Sequence, residues 1–428
     1  MDYQSDQSVQ AVRLRRLFFF DAVCREGGIG QAAAAVGLTQ PAVSLAIKKL
    51  EQAYGAPLFA RGYGGSELTP EGALLHRRVR RMLDQMESAV AGLLAGAGSA
   101  KTRASLVNMR ASQVNMRASH INVGAVCRHL TDTQIRCHIA IAQLGSAVNA
   151  SNKLGISQPA VHRAARELEE TVGVALYRRR VHSVSANAAG LEFARRLSLA
   201  LHEIAQAAAD LSSARGLAGG QVSVGVLPLL PQRLLARAIG RLREDYPDVA
   251  VTIQEGAHER LIDDLRFGAI DVIVGALRGR GAESGVTESA LFIDPYAVVV
   301  RRGHELAGRK RIGGKELTSY GWVVPQKDMP RRAVVEQMLA TLPVRPRVVV
   351  ETSSLAMMMS MLEENDCISL LSRSHILYGN YRNDVVALDV ATPEVARTVG
   401  YTTRADWLAT RAQDAFIEHL REQCRRDN

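Results

Sequence analysis

The hydrophobic pattern at the start of the chain indicates three short helices. Apolar residues predict a helix over 17–23, and a short alanine-rich helix is predicted over 31–36 after a glycine break. A third helix is predicted to begin at Thr39, a residue type favoured as an N-cap, with Pro41 in the first turn where proline is tolerated. Two helices joined by a tight glycine turn form a helix-turn-helix.

The same pattern recurs 118 residues later. Residues 38–59 and 156–177 are identical at nine of 22 positions, including a Gln-Pro-Ala-Val segment that begins at Gln40 and again at Gln158. In this second copy the alanine-rich helix is predicted over 147–154, and the third helix begins at Ser157. We interpret the two segments as a duplicated domain.

The third helix of each copy has an apolar face and a polar face. Val43, Ile47 and Leu50 recur at helical spacing and are expected to pack inward. Short polar and basic side chains on the other face suit base edges and phosphates in a major groove, although a solvated helix face is the alternative. The candidate DNA contacts are Thr39, Gln40, Pro41, Ser44 and Lys48 in copy one, and Ser157, Gln158, His162, Arg163 and Arg166 in copy two.

A small two-stranded wing is predicted after each third helix. In copy one it runs through a glycine-rich tip, where Arg61 is a candidate phosphate contact. In copy two the tip instead carries Arg178, Arg179 and Arg180, three further candidate phosphate contacts. A charge run that is merely solvated is the alternative.

An apolar stripe with heptad-like spacing follows each wing and indicates a long helix that needs an apolar partner. The stripes comprise Val79, Leu83, Met86, Val90 and Leu93 in copy one, and Leu197, Leu201, Ile204, Ala208 and Leu211 in copy two. A second subunit would cover such a stripe, and packing within the same chain is the alternative. Between the copies, residues 99–130 hold five Lys or Arg and no acid, which predicts a basic linker that is helical in part.

The C-terminal half alternates between strands and helices. One series of strands is predicted over 222–226, 249–253 and 270–274, with helices over 234–243 and 261–267. A second series of strands follows at 296–300, 322–324, 348–350 and 368–371. This alternation predicts parallel sheets with right-handed crossovers, arranged as two α/β lobes with a cleft between them. Ligands of such sheets bind at the carboxyl ends of strands and at helix N-termini.

The distribution of charge points to an acidic partner of the N-terminal half. The chain has 428 residues, enough for two to four domains, and a net charge of +10. Residues 1–215 contain 26 basic and 16 acidic side chains, whereas the remainder contains 27 of each. Nucleic acid is the commonest partner for such a surface. Residues 17–72, the copy expected to read DNA best, have a net charge of only −1. Copy one is therefore expected to specify the DNA site, whereas copy two and the linker are expected to attract phosphates.

Several classes of protein are not expected. No apolar run approaches the ~18 residues that span a bilayer, and the chain starts without a signal-peptide core, so no membrane partner and a cytoplasmic location are expected. Five cysteines without a C-x-x-C pair do not indicate a disulfide framework or a zinc site. No nucleophile–base motif or phosphate loop is present, so neither an enzyme nor a cofactor is expected. A small-molecule-binding protein without a regulatory role is the distant alternative.

The motifs of both copies resemble those of a known family. Residues 17–98, and again 135–215, resemble the winged helix-turn-helix and linker helix of LysR-type transcriptional regulators. The resemblance rests on the segments around Phe20, the Gln-Pro-Ala-Val-Ser at 40–44, Leu50-Glu51, the Leu58-Phe59 pair, and the Leu-Thr-Pro-x-Gly at 68–72. Residues 219–428 resemble the effector-binding domain of the family, a fold similar to periplasmic binding proteins.

This resemblance implies a multi-domain architecture. Two all-α, winged helix-turn-helix domains with long linker helices are expected over 1–98 and 131–215, separated by the basic linker over 99–130. An α/β, two-lobed, periplasmic-binding-protein-like effector domain is expected over 219–428. The implied protein is a homodimer or homotetramer that binds double-stranded DNA and a small organic effector, an acid or a sugar, between the lobes.

The resemblance also supplies candidate effector contacts and shows departures. Positions matching the usual contacts of the family are Leu229, Leu230, Pro325, Gln326, Thr352, Ser353 and Ser354. Copy two has His162 for the recognition-helix serine, His138 for the core Phe20, and lacks the Leu-Thr-Pro of the wing. Copy one has Gly28 where the family has serine. One copy serving assembly rather than DNA reading is therefore the alternative function.

Overall fold

A computed structural model describes residues 13–60, 66–96, 122–180, 183–216, 219–228, 230–279, 284–327, 329–378, 384–390 and 396–426. The chain divides into two compact units. The first comprises Met1–Gly220 with Arg266–Gly268, and the second comprises Gln221–Leu265 with Ala269–Asn428. Each unit has its own core.

The first unit contains both copies of the repeat. Copy one consists of helices α1 (Leu14–Glu26), α2 (Ile29–Ala35), α3 (Gln40–Tyr54) and α4 (Pro70–Gly96). A short helix α5 (Val123–His129) precedes copy two. Copy two consists of α6 (Asp132–Leu144), α7 (Ala147–Leu154), α8 (Gln158–Val172), the hairpin strands β1 (Tyr177–Arg180) and β2 (Ser183–Ala186), and α9 (Ala188–Ala214).

The predicted helices of both copies are present, although the first helix extends further, over Leu14–Glu26, and the second lies at Ile29–Ala35. Gly27 and Gly145 end α1 and α6 at φ +73° and +72°, in the left-handed region that favours glycine. Thr39 and Ser157 occupy the N-cap positions of α3 and α8, but neither side chain makes a capping hydrogen bond. Their predicted role as side-chain caps is therefore wrong.

The two long helices α4 and α9 pack against each other within one chain. Both have 27 residues, and the apolar stripe of each is buried or half-buried in a single core that extends over both copies. Arg78 in the first half of α4 contacts Glu203 and Asp210 in the second half of α9, as expected of antiparallel helices. Each stripe is thus covered by the long helix of the other copy and not by the expected second subunit, because one chain supplies both helices.

The copies also touch near their first helices. The backbone N–H of Leu14, which begins α1, donates to the Asp132 carboxylate, which begins α6, over 3.3 Å. These positions are equivalent in the repeat, so their contact is what a local two-fold axis between the copies would produce. Helix α5 lies against α4 with Val126 and Cys127 buried, so the end of the predicted linker belongs to the folded unit. Residues 99–121 of that linker lie outside the described residues.

The second unit is built on one mixed sheet. Its elements are β3 (Gln221–Val226), α10 (Gln232–Asp245), β4 (Ala250–Glu255), α11 (His258–Arg266), β5 (Val272–Ala276), β6 (Val286–Arg301), α12 (Gly314–Thr318), β7 (Gly321–Val324), α13 (Pro330–Ala340), β8 (Val348–Glu351), α14 (Leu355–Glu364), β9 (Cys367–Ser372), α15 (Arg373–Tyr378), β10 (Val385–Ala387), β11 (Ala396–Arg404) and α16 (Arg411–Arg426). The strand order is β4-β3-β5-β11-β6-β9-β7-β8, and β10 pairs with β6.

The expected parallel pairing holds only within each half of this sheet. Strand β3 pairs in parallel with β4 and β5, and β7 pairs in parallel with β8 and β9. The prediction of purely parallel sheets is wrong at the centre, where β11 runs antiparallel to β5 and β6, and β6 runs antiparallel to β9. The strand predicted at 296–300 is the end of the 16-residue β6, which begins in one lobe and ends in the other.

Candidate nucleic-acid interface and ligand site

The polar face of α3 is exposed, as predicted for copy one. Gln40, Ser44 and Lys48 are exposed, and Thr39 and Pro41 are exposed at its first turn. On the opposite face Val43, Ile47 and Leu50 are at most 4% exposed. The helix is therefore held by its apolar face and presents short polar groups and one ammonium group to solvent.

The corresponding face of α8 carries larger and more basic side chains. Ser157, Gln158, Arg163 and Arg166 are exposed, and His162 is half-buried. The Nε2 atoms of Gln158 and His162 lie 3.4 Å apart across one helical turn. Bidentate guanidinium groups and a ring nitrogen suit base edges and phosphates.

Both recognition helices are held by the same carboxylate contact. The backbone N–H of Leu58 donates to Glu51 over 2.9 Å, and the backbone N–H of Leu176 donates to Glu169 over 2.7 Å. In each copy the glutamate thus ties the end of the recognition helix to the first strand of the wing. The recurring Leu-Glu pair is explained by this contact, which sets the angle between helix and wing.

The altered wing motif of copy two keeps the contacts of copy one. The Thr69 hydroxyl donates to the carbonyl of Pro57 over 2.7 Å and accepts from the N–H of Gly72 over 2.9 Å. Asn187, at the equivalent position, donates to the carbonyl of Ala175 and accepts from the N–H of Gly190, both over 2.8 Å. The loss of Leu-Thr-Pro therefore costs neither hydrogen bond, because the asparagine amide supplies one donor and one acceptor as the hydroxyl does.

A buried polar pair replaces an aromatic pair in the core of copy two. In copy one the rings of Phe20 and Phe59 lie 5.5 Å apart. In copy two His138 and Tyr177 occupy these positions, with ring centroids 5.4 Å apart. Burial lowers the pKa of His138 to about 4, so the imidazole is neutral at pH 7. The histidine that departs from the family pattern is thus a core residue with a hydrogen-bonding partner.

The wings differ in how much of them is described. Strands β1 and β2 form an antiparallel hairpin that pairs Arg178 with Ser185 and Arg180 with Ser183. The Arg178 side chain is exposed, and Arg179 is placed in β1 by its backbone. In copy one the described part of the wing is a single bridge between Phe59 and Leu68, and Arg61 lies outside the described residues.

One exposed residue of the recognition face was missed by the sequence analysis. Leu45 is 53% exposed on α3, at the position that Arg163 occupies on α8. Its signal in the sequence is that it breaks the apolar spacing of Val43, Ile47 and Leu50. An exposed aliphatic group beside polar ones suits the methyl group of a thymine in a major groove.

Part of the predicted effector site is brought together in the second lobe. Strands β7 and β8 end side by side, with Val324 paired to Glu351 and the N–H of Thr352 donating to the carbonyl of Val324 over 3.0 Å. Pro325 and Gln326 therefore lie next to Thr352 at the carboxyl edge of this sheet. Ser353 is exposed, and the exposed Ser354 caps α14 by accepting from the N–H of Met357 over 3.3 Å.

The two predicted contacts from the first lobe are not placed in the site. Leu230 is 6% exposed and packs in the core formed by β3 and α10, so its side chain is a packing residue and not an open contact. This corrects the expectation that it contacts a ligand, because a core side chain presents no free surface. Leu229 lies outside the described residues.

A buried polar cluster that the sequence analysis missed lies where β6 and β11 cross between the lobes. Asp294 is 2% exposed and accepts from the Arg397 Nε and Nη2 atoms over 2.9 and 2.8 Å. The same carboxylate accepts from the Ser374 N–H and hydroxyl over 2.9 and 2.6 Å. The Ser372 hydroxyl lies 2.8 Å from His375 Nδ1 and accepts from Arg397 over 2.9 Å. The charge of Asp294 is thus compensated by one arginine and two donors.

Arg331 adds a second cation beside this cluster. It is 9% exposed in the first turn of α13, and its guanidinium makes no hydrogen bond or ion pair with another residue of the described ranges. Burial lowers the pKa of Arg331 to about 10, Tyr296 opposes this shift, and Arg397 adds to it. The neighbouring Arg332 donates to the carbonyl of Pro325 over 2.6 Å and to Glu351 over 3.0 Å, which connects this turn to the carboxyl edge of β7 and β8.

The remaining features of the described residues, which are a pocket, the cysteines, possible metal ligands and the helix lengths, bear less directly on a functional site. A pocket of 420 Å³ between β6, β11 and α16 is lined by Tyr401, Trp407 and Arg421, among others, and by none of the predicted ligand contacts. The five cysteines are free thiols. In the described ranges no three His, Cys, Asp or Glu side chains are grouped as a metal site requires. None of the described helices is both long and apolar enough to cross a membrane.

Comparison with known families matches both units. The family described as "Bacterial regulatory helix-turn-helix protein, lysR family" matches residues 14–73 and again residues 133–191. The family described as "LysR substrate binding domain" matches residues 215–425. The first match thus repeats over both copies, and the second covers the mixed-sheet unit.

Individual relatives match the chain at low identity and over different lengths. The HTH-type transcriptional regulator GalR of Pseudomonas putida is 27% identical over 415 residues, which cover 97% of this chain and 98% of that protein. PcaQ of Agrobacterium fabrum is 28% identical over 293 residues, covering 67% of this chain and 93% of that protein. The solved structure of a full-length OxyR variant from Pseudomonas aeruginosa has a TM-score of 0.52 at 24% identity, covering 69% of this chain and 95% of that chain. This last likeness concerns the fold.

Proposed function

The chain belongs to the LysR family of transcriptional regulators, and we propose that both of its recognition helices read double-stranded DNA. The residues proposed to contact DNA are Thr39, Gln40, Pro41, Ser44, Lys48 and Arg61 in copy one, and Ser157, Gln158, His162, Arg163, Arg166 and Arg178–Arg180 in copy two. The observation that carries this proposal is that α3 and α8 expose their polar faces while the same carboxylate contact holds each helix on its wing.

Binding to DNA is tested with a variant that removes four of these side chains. Full-length protein with Ser44, Lys48, His162 and Arg166 all replaced by alanine is compared with the wild type by fluorescence anisotropy on a selected duplex. The wild type is expected to bind with a Kd of about 10⁻⁸ M or below at physiological salt, and the variant to lose at least about 100-fold in affinity. The affinity of the wild type is also expected to fall steeply with salt. Unchanged specific binding by the variant contradicts the proposal.

Use of one copy purely for assembly is the competing function. Helices α4 and α9 pair through their own surfaces, so neither recognition face is needed for assembly and both stay exposed. Footprints of two variants, one altered at Ser44 and Lys48 and the other at His162 and Arg166, distinguish the two functions. Loss of protection over a different half of the site in each variant supports two readers, whereas an unchanged footprint in one variant identifies a silent copy.

We propose that the effector of the second unit is a small organic acid and not a neutral sugar. Arg331 is a buried cation for which the described residues supply no carboxylate partner; it lies close to Arg397 and next in sequence to the residue that holds Pro325. An anion that reached this guanidinium would supply the missing counter-charge, since a buried charge is costly unless it is paired. Pro325, Gln326, Thr352, Ser353 and Ser354 are proposed to complete the site.

The class of effector is tested by thermal shift. Small carboxylic acids and their neutral amides are screened on wild-type full-length protein, on Arg331→Met, and on Arg309→Met, which removes an exposed arginine of the same lobe. Acids are expected to raise the Tm of the wild type and of Arg309→Met but not of Arg331→Met. Equal shifts by the amides, or by the acids in Arg331→Met, contradict an anionic effector.

The remaining expectations are proposals supported by the relatives. We propose that the protein acts as a cytoplasmic regulator without enzymatic activity, because GalR and PcaQ are named transcriptional regulators. Domain limits at 1–98, 131–215 and 219–428 and a homodimer or homotetramer of full chains are proposed on the same basis. Assay of the purified protein by light scattering measures the number of chains.

A further inference from the structure

The pair of helices α4 and α9 covers both apolar stripes within one chain. A chain with only one copy would need a second chain to bury such a stripe. Here the core of the first unit contains Val79, Met86 and Val90 of α4 together with Leu197, Ile204 and Leu211 of α9. One chain therefore holds two winged helices together through its own core.

The charges on these helices specify which copies can pair. Arg78 is 2% exposed and contacts Glu203 over 2.9 Å and Asp210 over 2.8 Å. Arg81 contacts the same Glu203 over 2.8 Å. These three ion pairs join a basic half of α4 to an acidic half of α9 at the buried seam.

Pairing of two copy-one helices would leave Arg78 without its carboxylate partners. At the offset of 118 residues, the positions of Glu203 and Asp210 correspond in copy one to Gln85 and Gly92. Two copy-one helices would thus bury Arg78 against an amide and a glycine. Since a buried charge without a partner is strongly destabilising, the interface favours copy one with copy two over a pair of copy-one helices. Copy two has Arg196 at the position of Arg78, so these charges do not by themselves disfavour a pair of copy-two helices.

The two recognition faces that this pairing presents are chemically different. Both share a glutamine, Gln40 or Gln158, in the first turn. At the next three reading positions copy one has Ser44, Leu45 and Lys48, and copy two has His162, Arg163 and Arg166. An aliphatic side chain selects a thymine methyl group, whereas an arginine most often selects guanine. The two helices therefore present side chains that suit different bases.

We propose that one chain is a complete DNA-reading head made of two unlike winged helices, and that it recognises a duplex whose two half-sites differ in sequence. The proposal rests on the proposed function, since it presumes that both helices read DNA. A head with two identical helices reads a palindrome because the symmetry of the site mirrors that of the protein. Here the scaffold is symmetric but three reading positions are not, so the half-site of copy two is richer in guanine than that of copy one.

The proposal is tested by selecting duplexes from a random pool with the full-length protein. The matched variant carries His162→Ser, Arg163→Leu and Arg166→Lys, which gives copy two the reading residues of copy one. These residues are accepted by the same scaffold in copy one, and an unchanged Tm of the variant checks that it folds. The wild type is expected to select two unequal half-sites, and the variant an inverted repeat.

Binding to synthetic duplexes then measures the preference. Wild-type protein is expected to bind the mixed site at least about tenfold tighter than either site made symmetric, the effect of one unfavourable base pair. The variant is expected to bind best to the site made from two copy-one halves. A palindromic site selected by the wild type, or a site with one half only, overturns the proposal. A pool without any enriched sequence would instead overturn the proposed function.

Discussion

His138 Nδ1 lies 2.8 Å from the hydroxyl oxygen of Tyr177, inside the core of the second winged helix. His138 is fully buried and Tyr177 is 8% exposed. In the first winged helix the equivalent residues are Phe20 and Phe59, which have no polar atoms on their rings. The two substitutions relative to copy one thus depend on each other, because the His138 ring and the Tyr177 hydroxyl lie within hydrogen-bonding distance of each other.

Replacing one member of this pair is expected to cost more than replacing both. His138→Phe leaves the Tyr177 hydroxyl without its ring-nitrogen partner, and an unsatisfied buried hydroxyl costs about 1–3 kcal/mol. His138→Phe with Tyr177→Phe reproduces the aromatic pair of copy one and is expected to regain most of that free energy. The first transition in urea-induced unfolding of the full-length protein measures the free energies of unfolding of the single and the double variant. A double variant less stable than His138→Phe would contradict the coupling.

The same histidine predicts a loss of stability in acid. Burial lowers the pKa of His138 from 6.5 to about 4, so the unfolded chain binds the proton at a higher pH than the folded one. Its contribution to stability is therefore present above pH 6.5 and is lost as the pH falls towards 4, by up to about 3 kcal/mol. Between pH 7 and 5 the free energy of unfolding is expected to fall less in His138→Phe/Tyr177→Phe than in the wild type. Equal slopes would show that another group dominates.

Glycines in the long helix α4 are expected to respond oppositely to alanine. A Cβ atom at Gly72 would overlap the backbone carbonyl oxygen of Leu58, which cannot move without opening the wing, whereas one at Gly92 would meet nothing within 4 Å. Gly72→Ala is expected to destabilise copy one by more than about 2 kcal/mol, and Gly92→Ala to stabilise the helix by about 0.5–1 kcal/mol. Thermal unfolding of both variants checks the signs, and stabilisation by Gly72→Ala would be inconsistent with the packing of the wing.

Arg78, which is buried between the copies, is expected to contribute far more to the free energy of unfolding than a side chain of an exposed ion pair. Arg78→Ala leaves Glu203, whose side chain is 9% exposed, with only Arg81, and breaking a buried pair costs about 3–5 kcal/mol. The control is Asp84→Ala, which removes a carboxylate that is 62% exposed and is expected to change stability by less than about 0.5 kcal/mol. Denaturant midpoints of the two variants compare the sites. Similar small effects in both would mean that α4 and α9 are not paired in solution.

Removal of the unpartnered arginine of the second unit is expected to stabilise it. Burial shifts the pKa of Arg331 to about 10, so its charged form is disfavoured in the folded protein, and Arg331→Met is expected to gain about 1–3 kcal/mol without ligand. Arg397→Met, which removes the counter-charge of Asp294, is expected to lose stability instead. Calorimetry of the ligand-free variants measures both. A less stable Arg331→Met would indicate that its guanidinium is already compensated.

The helices of the repeat could be predicted from the sequence because their signals are local. Glycines at 27 and 145, a proline in the first turn of α3, and apolar spacing within each helix depend only on nearby residues. Glu51 and Thr69 belong to motifs that are visible in the sequence. Their physical role, which is to accept hydrogen bonds from the N–H groups of Leu58 and Gly72, is visible only in the folded structure. From the sequence, asparagine at the position equivalent to Thr69 indicates a lost wing motif, whereas the structure shows that Asn187 makes both hydrogen bonds of that threonine.

The ligand site could be predicted only in part, for a related reason. Pro325 and Thr352 each follow a strand, so their sequence positions place them at the carboxyl edge of a parallel pair. Asp294, Arg331 and Arg397 come from elements far apart in the chain, and no local pattern joins them. The antiparallel strands β6 and β11 that bring Asp294 and Arg397 together were also not predicted, since alternation of strands and helices carries no sign of a strand that crosses between lobes.

Residue order alone is enough to predict two winged helix-turn-helix copies, the polar faces of their third helices, and a LysR-type effector unit after them. These features follow from the spacing and type of residues, so they do not depend on how the two copies pack together. The pairing of α4 with α9 of the same chain is seen only in the folded molecule, because an apolar stripe indicates that a partner is needed without indicating which one. The buried contact of Arg78 with Glu203 favours that partner, since it satisfies a charge that a pair of copy-one helices would leave unmatched.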